Sequence, residues 1–273
     1  MKNEESYFQK VEQLIGSFVK QARLELHERW EKWAIDISKN EIHEVVGALL
    51  ARQVTLARQI AECPSIWNGH IAPIILRAMA DVYISLAWVL NDPLERSQKF
   101  IFYGLGQDKL QLEHRKTEIG EREPTPQEKM LIEASEAWIN SQRFTFLTEV
   151  NIGSWSGIST RQMAEEANCL DFYNYVYTPF SACAHSMWHH VARYNLKQCK
   201  NPLHLYHNVP DDPEFSIDPH NLYLAAKYLQ KTFSIFDKKI SINIDIPSAY
   251  DQLCNGLDKL SDSEVNPIAE EDA

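Results

Sequence analysis

Residues 71–90 read IAPIILRAMADVYISLAWVL, and this stretch decides the fold. Ile74, Ile75, Met79, Val82, Tyr83, Ile84, Leu86, Ala87, Trp88 and Val89 put apolar side chains on nearly every face of one helix. A helix of that composition is stable only when neighbours cover it all round, so it predicts the central member of a helical bundle. Arg77 and Asp81 stand four apart inside it. An isolated buried ion is strongly unfavourable, so both charges need partners, and the plain reading is an i,i+4 ion pair that ties helices together.

On the N-terminal side, Val11, Ile15, Phe18, Ala22, Leu26, Trp30, Trp33 and Ile37 recur in steps of three and four. They predict one long helix from Glu4 to about Ile37, roughly 50 Å at 1.5 Å per residue. Asn40 can cap a second helix with the face Ile42, Val45, Leu49, Leu56 and Ile60, ending at Pro64.

On the C-terminal side the starts are punctuated. Asp92-Pro93-Leu94-Glu95 and Thr125-Pro126-Gln127-Glu128 each combine a capping residue, Pro at the first helical position and Glu at the third. They predict helices to about Glu118 and Val150. Ser159 with Gln162 forms a capping-box pair for a short helix ending near Asn168, and Asp171 can cap the next. Thr178 and Pro179 predict a kink or restart, then a helix to about Leu196. Residues 197–219 have no helical period and hold Pro202, Pro210, Pro213 and Pro219, an unusually long irregular loop. Asp218-Pro219 and Pro247 open the last two helices. Ile240, Ile242, Ile244 and Ile246 alternate like a strand but have no partner pattern, so they read as an extended connection or helix end.

The chain of 273 residues contains nine glycines, too few for a turn-rich sandwich or barrel. These signs predict a single all-α bundle of seven to nine helices over residues 1–260. Its parts are a long helix at 1–38, a core at 40–205 and C-terminal helices at 206–260, followed by a disordered acidic tail at 261–273. The net charge is −11, which disfavours phosphate-tracking and anionic membranes, since both need a positive footprint. Five of those charges, Asp262, Glu264, Glu270, Glu271 and Asp272, lie in the tail, so a local basic cleft for RNA stays open.

Five scattered cysteines without a Cys-x-x-Cys pair predict reduced thiols and a cytoplasmic location, and the polar, acidic start does not resemble a secretory signal. The uncharged run Phe172–Ala192 contains Asn174, Pro179, Ser181, His185, His189 and His190, and reads as a buried helix rather than a membrane span.

Glycine-rich nucleotide loops, Gly-x-Ser-x-Gly, His-Glu-x-x-His and EF-hand patterns are absent, which removes most nucleotide-binding and hydrolase classes. Histidine is concentrated instead: His185, His189, His190, His204 and His207 fall within residues 185–207. On one helix, His185 and His189 would share a face and could hold a divalent metal, with Asp81 or a loop residue such as His204 or His207 completing the shell. They could equally be core or surface residues, and no resident cofactor is otherwise expected. Arg77, His185 and His189 are the candidate catalytic residues, with Arg77 a handle for phosphate or carboxylate facing His185 across the core. The aromatic run Phe172, Tyr173, Tyr175, Tyr177 and Phe180 reads as core packing before base stacking.

Arg77 through Asp81, then Asn91-Asp92-Pro93 with Arg96, and later Tyr177 to His185 with Ser181, together resemble a prokaryotic all-helical family known only as a domain of unknown function. The resemblance spans about residues 40–205. It implies a cytosolic bacterial accessory or defence-associated protein and supplies no catalytic residues. A weaker similarity is to HEPN-type helical ribonucleases, whose signature places Arg a short distance ahead of His. None of the ten histidines here has that partner: Arg23 and His27 stand one residue too close, and His189 and His190 precede Arg193.

The expected function is therefore binding, as an accessory or sensor component in stress or phage defence, with the long first helix or the 197–219 loop as the surface. A homo-oligomer or a protein partner is expected. The alternative is a nuclease or other phosphodiester-acting hydrolase, HEPN-like or metal-dependent, using Arg77, His185 and His189.

Overall fold

A computed structural model describes residues 2–141 and 153–265. The first half of the chain forms α1 (Lys2–Lys32), α2 (Asn40–Ala61), α3 (Ala72–Val89), α4 (Pro93–Ile119) and α5 (Pro126–Ser141). Then come α6 (Thr160–Glu166), α7 (Leu170–Phe172), a π-helical stretch at Tyr173–Tyr177, α8 (Thr178–Ala184) and α9 (Trp188–Tyr194). Two short antiparallel strands follow, β1 (Leu196–Gln198) and β2 (Asn208–Pro210), then α10 (His220–Ile240) and α11 (Ala249–Val265). The fold is all-α.

α3 is long and apolar enough to cross a membrane by composition, yet here α2, α4, α6, α8 and α10 cover it. Leu76, Met79, Ala80, Ile84, Leu86 and Val89 are completely buried. Gln53 fixes the meeting of α2, α3 and α10, donating to Thr232 Oγ1 at 2.9 Å and to the Met79 carbonyl at 3.3 Å.

The long first helix docks on the end of the chain through a buried charge. Arg29 donates from Nε and a terminal nitrogen to both oxygens of Asp237 on α10, at 2.8 and 2.7 Å, with its guanidinium 3.9 Å above Phe233. Its other terminal nitrogen donates to the Glu25 carbonyl at 2.9 Å. Glu25 accepts the Ala249 amide at 2.8 Å, which caps α11. Burial raises the Glu25 pKa, while the Ala249 bond and Arg29 pull it back.

Several helix starts fall where the punctuation puts them, at Pro93, Pro126 and Thr160, the last with its Ser159–Gln162 capping box complete. The boundaries that differ have local causes. α1 stops at Lys32 rather than near Ile37, because the Asp36 carboxylate accepts the Ser38 amide at 3.0 Å and starts a separate 3₁₀ turn; Ile37 is 80% exposed. The helix predicted from Pro179 to Leu196 is two helices. Ser186 adopts a left-handed φ of 49°, and the Met187 amide donates to the Ala182 carbonyl at 2.9 Å, closing α8 with a Schellman turn. Pro179 itself breaks nothing: it stands in the first turn of α8, and the wider π-helical register before it carries the chain past a residue with no amide to donate.

The 197–219 segment contains the β1–β2 hairpin rather than loop alone, while residues 241–248 form the expected extended connection. α11 continues to Val265, into the stretch assigned to the tail. The predicted continuation of α5 to Val150, and tail residues 266–273, lie outside the described residues.

Arg29→Ala strands Asp237 and Glu25 without their cation, so a loss of about 3 kcal/mol in unfolding free energy by urea titration is expected. His43 supplies a pH-dependent counterpart. Its Nε2 accepts the Asp36 amide at 3.0 Å while its ring packs 4.1 Å from Trp33, and burial lowers its pKa below 6.5. The unfolded chain therefore takes up the proton first. The contribution of His43 is complete above pH 6.5 and lost as pH falls through the lower folded value. The urea midpoint should drop between pH 7 and 5, and His43→Gln should remove part of that drop.

Candidate functional site

α3 carries Arg77 to its contact with α8. The Arg77 guanidinium pairs with Asp81 one turn on, and Nε donates to Ser181 Oγ at 2.7 Å. Its plane stacks 3.2 Å over the Tyr177 ring. Tyr177 and Ser181 are four apart across the join between the π-helical stretch and α8, so both side chains meet the same arginine. Ser181 Oγ donates in turn to the Tyr177 carbonyl at 2.8 Å, and the Tyr177 hydroxyl donates to Thr160 Oγ1 at 3.3 Å. Burial raises the Asp81 pKa despite the opposing pull of Arg77, and burial likewise raises that of Tyr177.

Chemically this is a neutralised, braced cation. The hydroxyl of Ser181 has its single proton committed to a carbonyl and accepts from a guanidinium, which gives it no base to activate it. To take a phosphate or carboxylate, Arg77 must exchange Asp81, whose side chain is 48% exposed and so can swing away.

The histidines are placed differently from the helical expectation. His185 ends α8 and His189 lies in α9; both are exposed, and the Schellman turn between them removes the shared i,i+4 face on which a joint metal or catalytic role depended. Arg77 meets Ser181 rather than His185. His190 is partly buried, with its ring 5.6 Å from His70 and 4.7 Å from Tyr194; burial first, then His70 and His189, lowers its pKa. His204 and His207 sit in the hairpin loop with Cys199. Among the described residues, that trio is the one converging group of three metal-ligating side chains; Asp81, His185 and His189 form none.

A second arginine is braced alike. Arg96, in the first turn of α4, donates to Glu166 of α6 at 2.9 Å and to the Trp88 carbonyl at 2.7 Å, and lies 3.9 Å above the Trp88 ring. Trp88 Nε1 also donates to Glu166, at 2.6 Å, and Asn91 donates to the Glu166 carbonyl at 3.0 Å. The sequence pattern picks out Asn91 and Arg96 but not Glu166, whose role depends on how α6 lies. Between α1 and α2 runs a groove of 460 Å³ lined by Leu26, Trp30, His43 and Gly47.

A family model described as a family of unknown function, DUF5677, matches residues 43–201. The chain belongs to DUF5677. Both arginine braces fall inside the matched DUF5677 region, which also includes Cys199 but stops short of His204 and His207. Searches of curated proteins and of solved structures return no match.

The difference between brace and surface is measurable. Arg77→Ala leaves Asp81 and Ser181 without their donor and should cost about 2 kcal/mol in unfolding free energy. His185→Ala and His189→Ala should each stay within about 0.5 kcal/mol of the parent.

Proposed function

We propose that this protein acts by binding a protein partner, as an accessory or sensor component in stress or phage defence, and that the segment from α9 through the hairpin makes the contact. One observation carries this reading: Leu203, Leu205 and Tyr206 at the hairpin tip are 87%, 68% and 99% exposed. Side chains of this kind held in water contribute little to the fold, whereas a protruding aromatic flanked by aliphatics suits the anchored centre of an interface. Trp188 and Met187 at the start of α9 add exposed apolar surface in the same segment. Among its described side chains the first helix offers less, with Leu24 and Trp30 about two-fifths exposed. A cytoplasmic setting accords with free cysteines at all five positions. The defence setting rests on the likeness of the 40–205 region alone.

The alternative of a phosphodiester-acting hydrolase has less support, since Arg77 is engaged by Asp81, Ser181 and Tyr177, while His185 and His189 share no face. A photo-crosslinking benzoyl-phenylalanine at position 206, expressed in cells, tests the binding reading. A discrete adduct with another protein, or with a second copy of this chain, is expected. Leu203→Ser with Leu205→Ser should abolish it while leaving the far-ultraviolet circular dichroism unchanged. Absence of any adduct, together with a monomer in sedimentation at tens of micromolar, would overturn it.

A further inference from the structure

We propose that Cys199, His204 and His207 form a binding site for one zinc ion, or a similar thiolate-accepting divalent ion, at the end of the β1–β2 hairpin. The ladder and its loop build the geometry. Gln198 pairs with Asn208, and one step beyond it the Cys199 amide donates to the His207 carbonyl at 2.9 Å, which sets Cys199 and His207 opposite each other. Within the loop, the His204 amide donates to the Asn201 carbonyl at 3.0 Å and the His207 amide to the His204 carbonyl at 3.1 Å. Asn201 Oδ1 also accepts the Leu203 amide at 3.0 Å, and Pro202 restricts the backbone between them. These two consecutive turns fold His204 back over the thiol.

One ligand atom from each of the three side chains lies within 4.8 Å of the other two, and Cys199 Sγ lies 3.6 Å from His204 Nδ1. Tetrahedral zinc, with bonds of about 2.3 Å to sulfur and about 2.0 Å to nitrogen, separates two such ligands by roughly 3.6 Å. The atoms therefore stand close to their ligating positions before any ion arrives. His204 Nε2, the nitrogen turned away from the thiol, faces the Asn201 Nδ2 donor at 3.2 Å; once Nδ1 ligates an ion, Nε2 carries the ring proton and exchanges that donor for water. The His204 and His207 rings meet edge to face at 5.3 Å, so both approach the same point.

The chemical class follows from the donors. A thiolate and two imidazoles suit zinc and disfavour magnesium or calcium, which prefer oxygen. Three protein ligands leave a fourth position for water or for a donor from outside the chain. The ion closes the base of the loop that bears Leu203, Leu205 and Tyr206, so it would hold those side chains in one arrangement. The site stands on its own geometry; only this consequence rests on the binding function proposed above.

Cobalt(II) substitutes for zinc and reports its ligands. The full chain, purified without a histidine tag and stripped of metal, is titrated with cobalt and then zinc. Saturation at one equivalent is expected, with the intense visible bands of tetrahedral cobalt, a thiolate charge-transfer band in the near ultraviolet, and displacement by zinc. Cys199→Ser should abolish the charge-transfer band. His204→Ala with His207→Ala should weaken binding by at least the roughly tenfold that losing an outer-shell partner costs. All of these residues are at the surface or only partly buried, so the variants should retain the parent circular dichroism. No stoichiometric binding, an octahedral spectrum without the thiolate band, or binding unchanged in the variants would overturn the site. Cobalt binding that persists while the position-206 adduct is absent and the protein sediments as a monomer would sink the partner reading alone; the adduct without cobalt binding would sink the ion site alone.

Discussion

The constraint on which the molecule depends is that α3 has almost no face it can leave in water. A helix with Leu76, Met79, Ala80, Ile84, Leu86 and Val89 fully buried must be surrounded, and five other helices are laid against it to do so. Arg77 and Asp81 lie within that helix, so the burial of Arg77 and the partial burial of the half-exposed Asp81 are by-products of the packing. The raised pKa of Asp81 records this, because burial there outweighs an adjacent guanidinium. Gln53 fits the same logic: where α2, α3 and α10 converge, an amide is admitted only with a hydroxyl and a carbonyl to receive its hydrogens.

One solution recurs where an arginine is taken out of water. Arg29, Arg77 and Arg96 each meet a carboxylate, from Asp237, Asp81 and Glu166, and each lies within 4 Å of an aromatic ring, from Phe233, Tyr177 and Trp88. Guanidinium is suited to this because it is weakly hydrated on its faces and donates from its edge. The three braces join α1 to α10, α3 to α8 and α4 to α6. Two of these braces, at Arg77 and Arg96, lie inside the DUF5677 region and fasten its helices to one another.

How much of this could be read from the chain depends on the range of the forces involved. Helix starts were legible because Pro93, Pro126 and the Ser159–Gln162 pair act within one turn. Helix ends were less so. The end near Asn168 was marked by a residue that tolerates the left-handed conformation, but at Ser186 and Ser241 neither glycine nor asparagine marks the Schellman stop, and the break that parts His185 from His189 went unseen. The ion pair of Arg77 with Asp81 followed from spacing, but its bond to Ser181 rather than His185 depends on the π-helical phase before Pro179. The β1–β2 ladder involves three residues on each side, too few for a period-2 pattern to register. The Cys199-x4-His204-x2-His207 spacing was visible throughout, but nothing local showed that the chain doubles back between its members.

The Arg29–Asp237 fastening has a consequence for how the protein is made. Its two ends are 208 residues apart in the chain. At synthesis rates of about 5–20 residues per second, α1 leaves the ribosome roughly 10–40 s before the helix that neutralises its buried cation exists. During that interval the face that will pack on α11 is open to solvent, Arg29 lacks Asp237, and Glu25 lacks the α11 amide it will accept. The DUF5677 region can begin to gather around α3 in the meantime, and α1 can meet α2, but its contact with α11 waits until that helix is made. A nascent chain therefore exposes the α11-facing stripe of α1 until α10 and α11 have emerged.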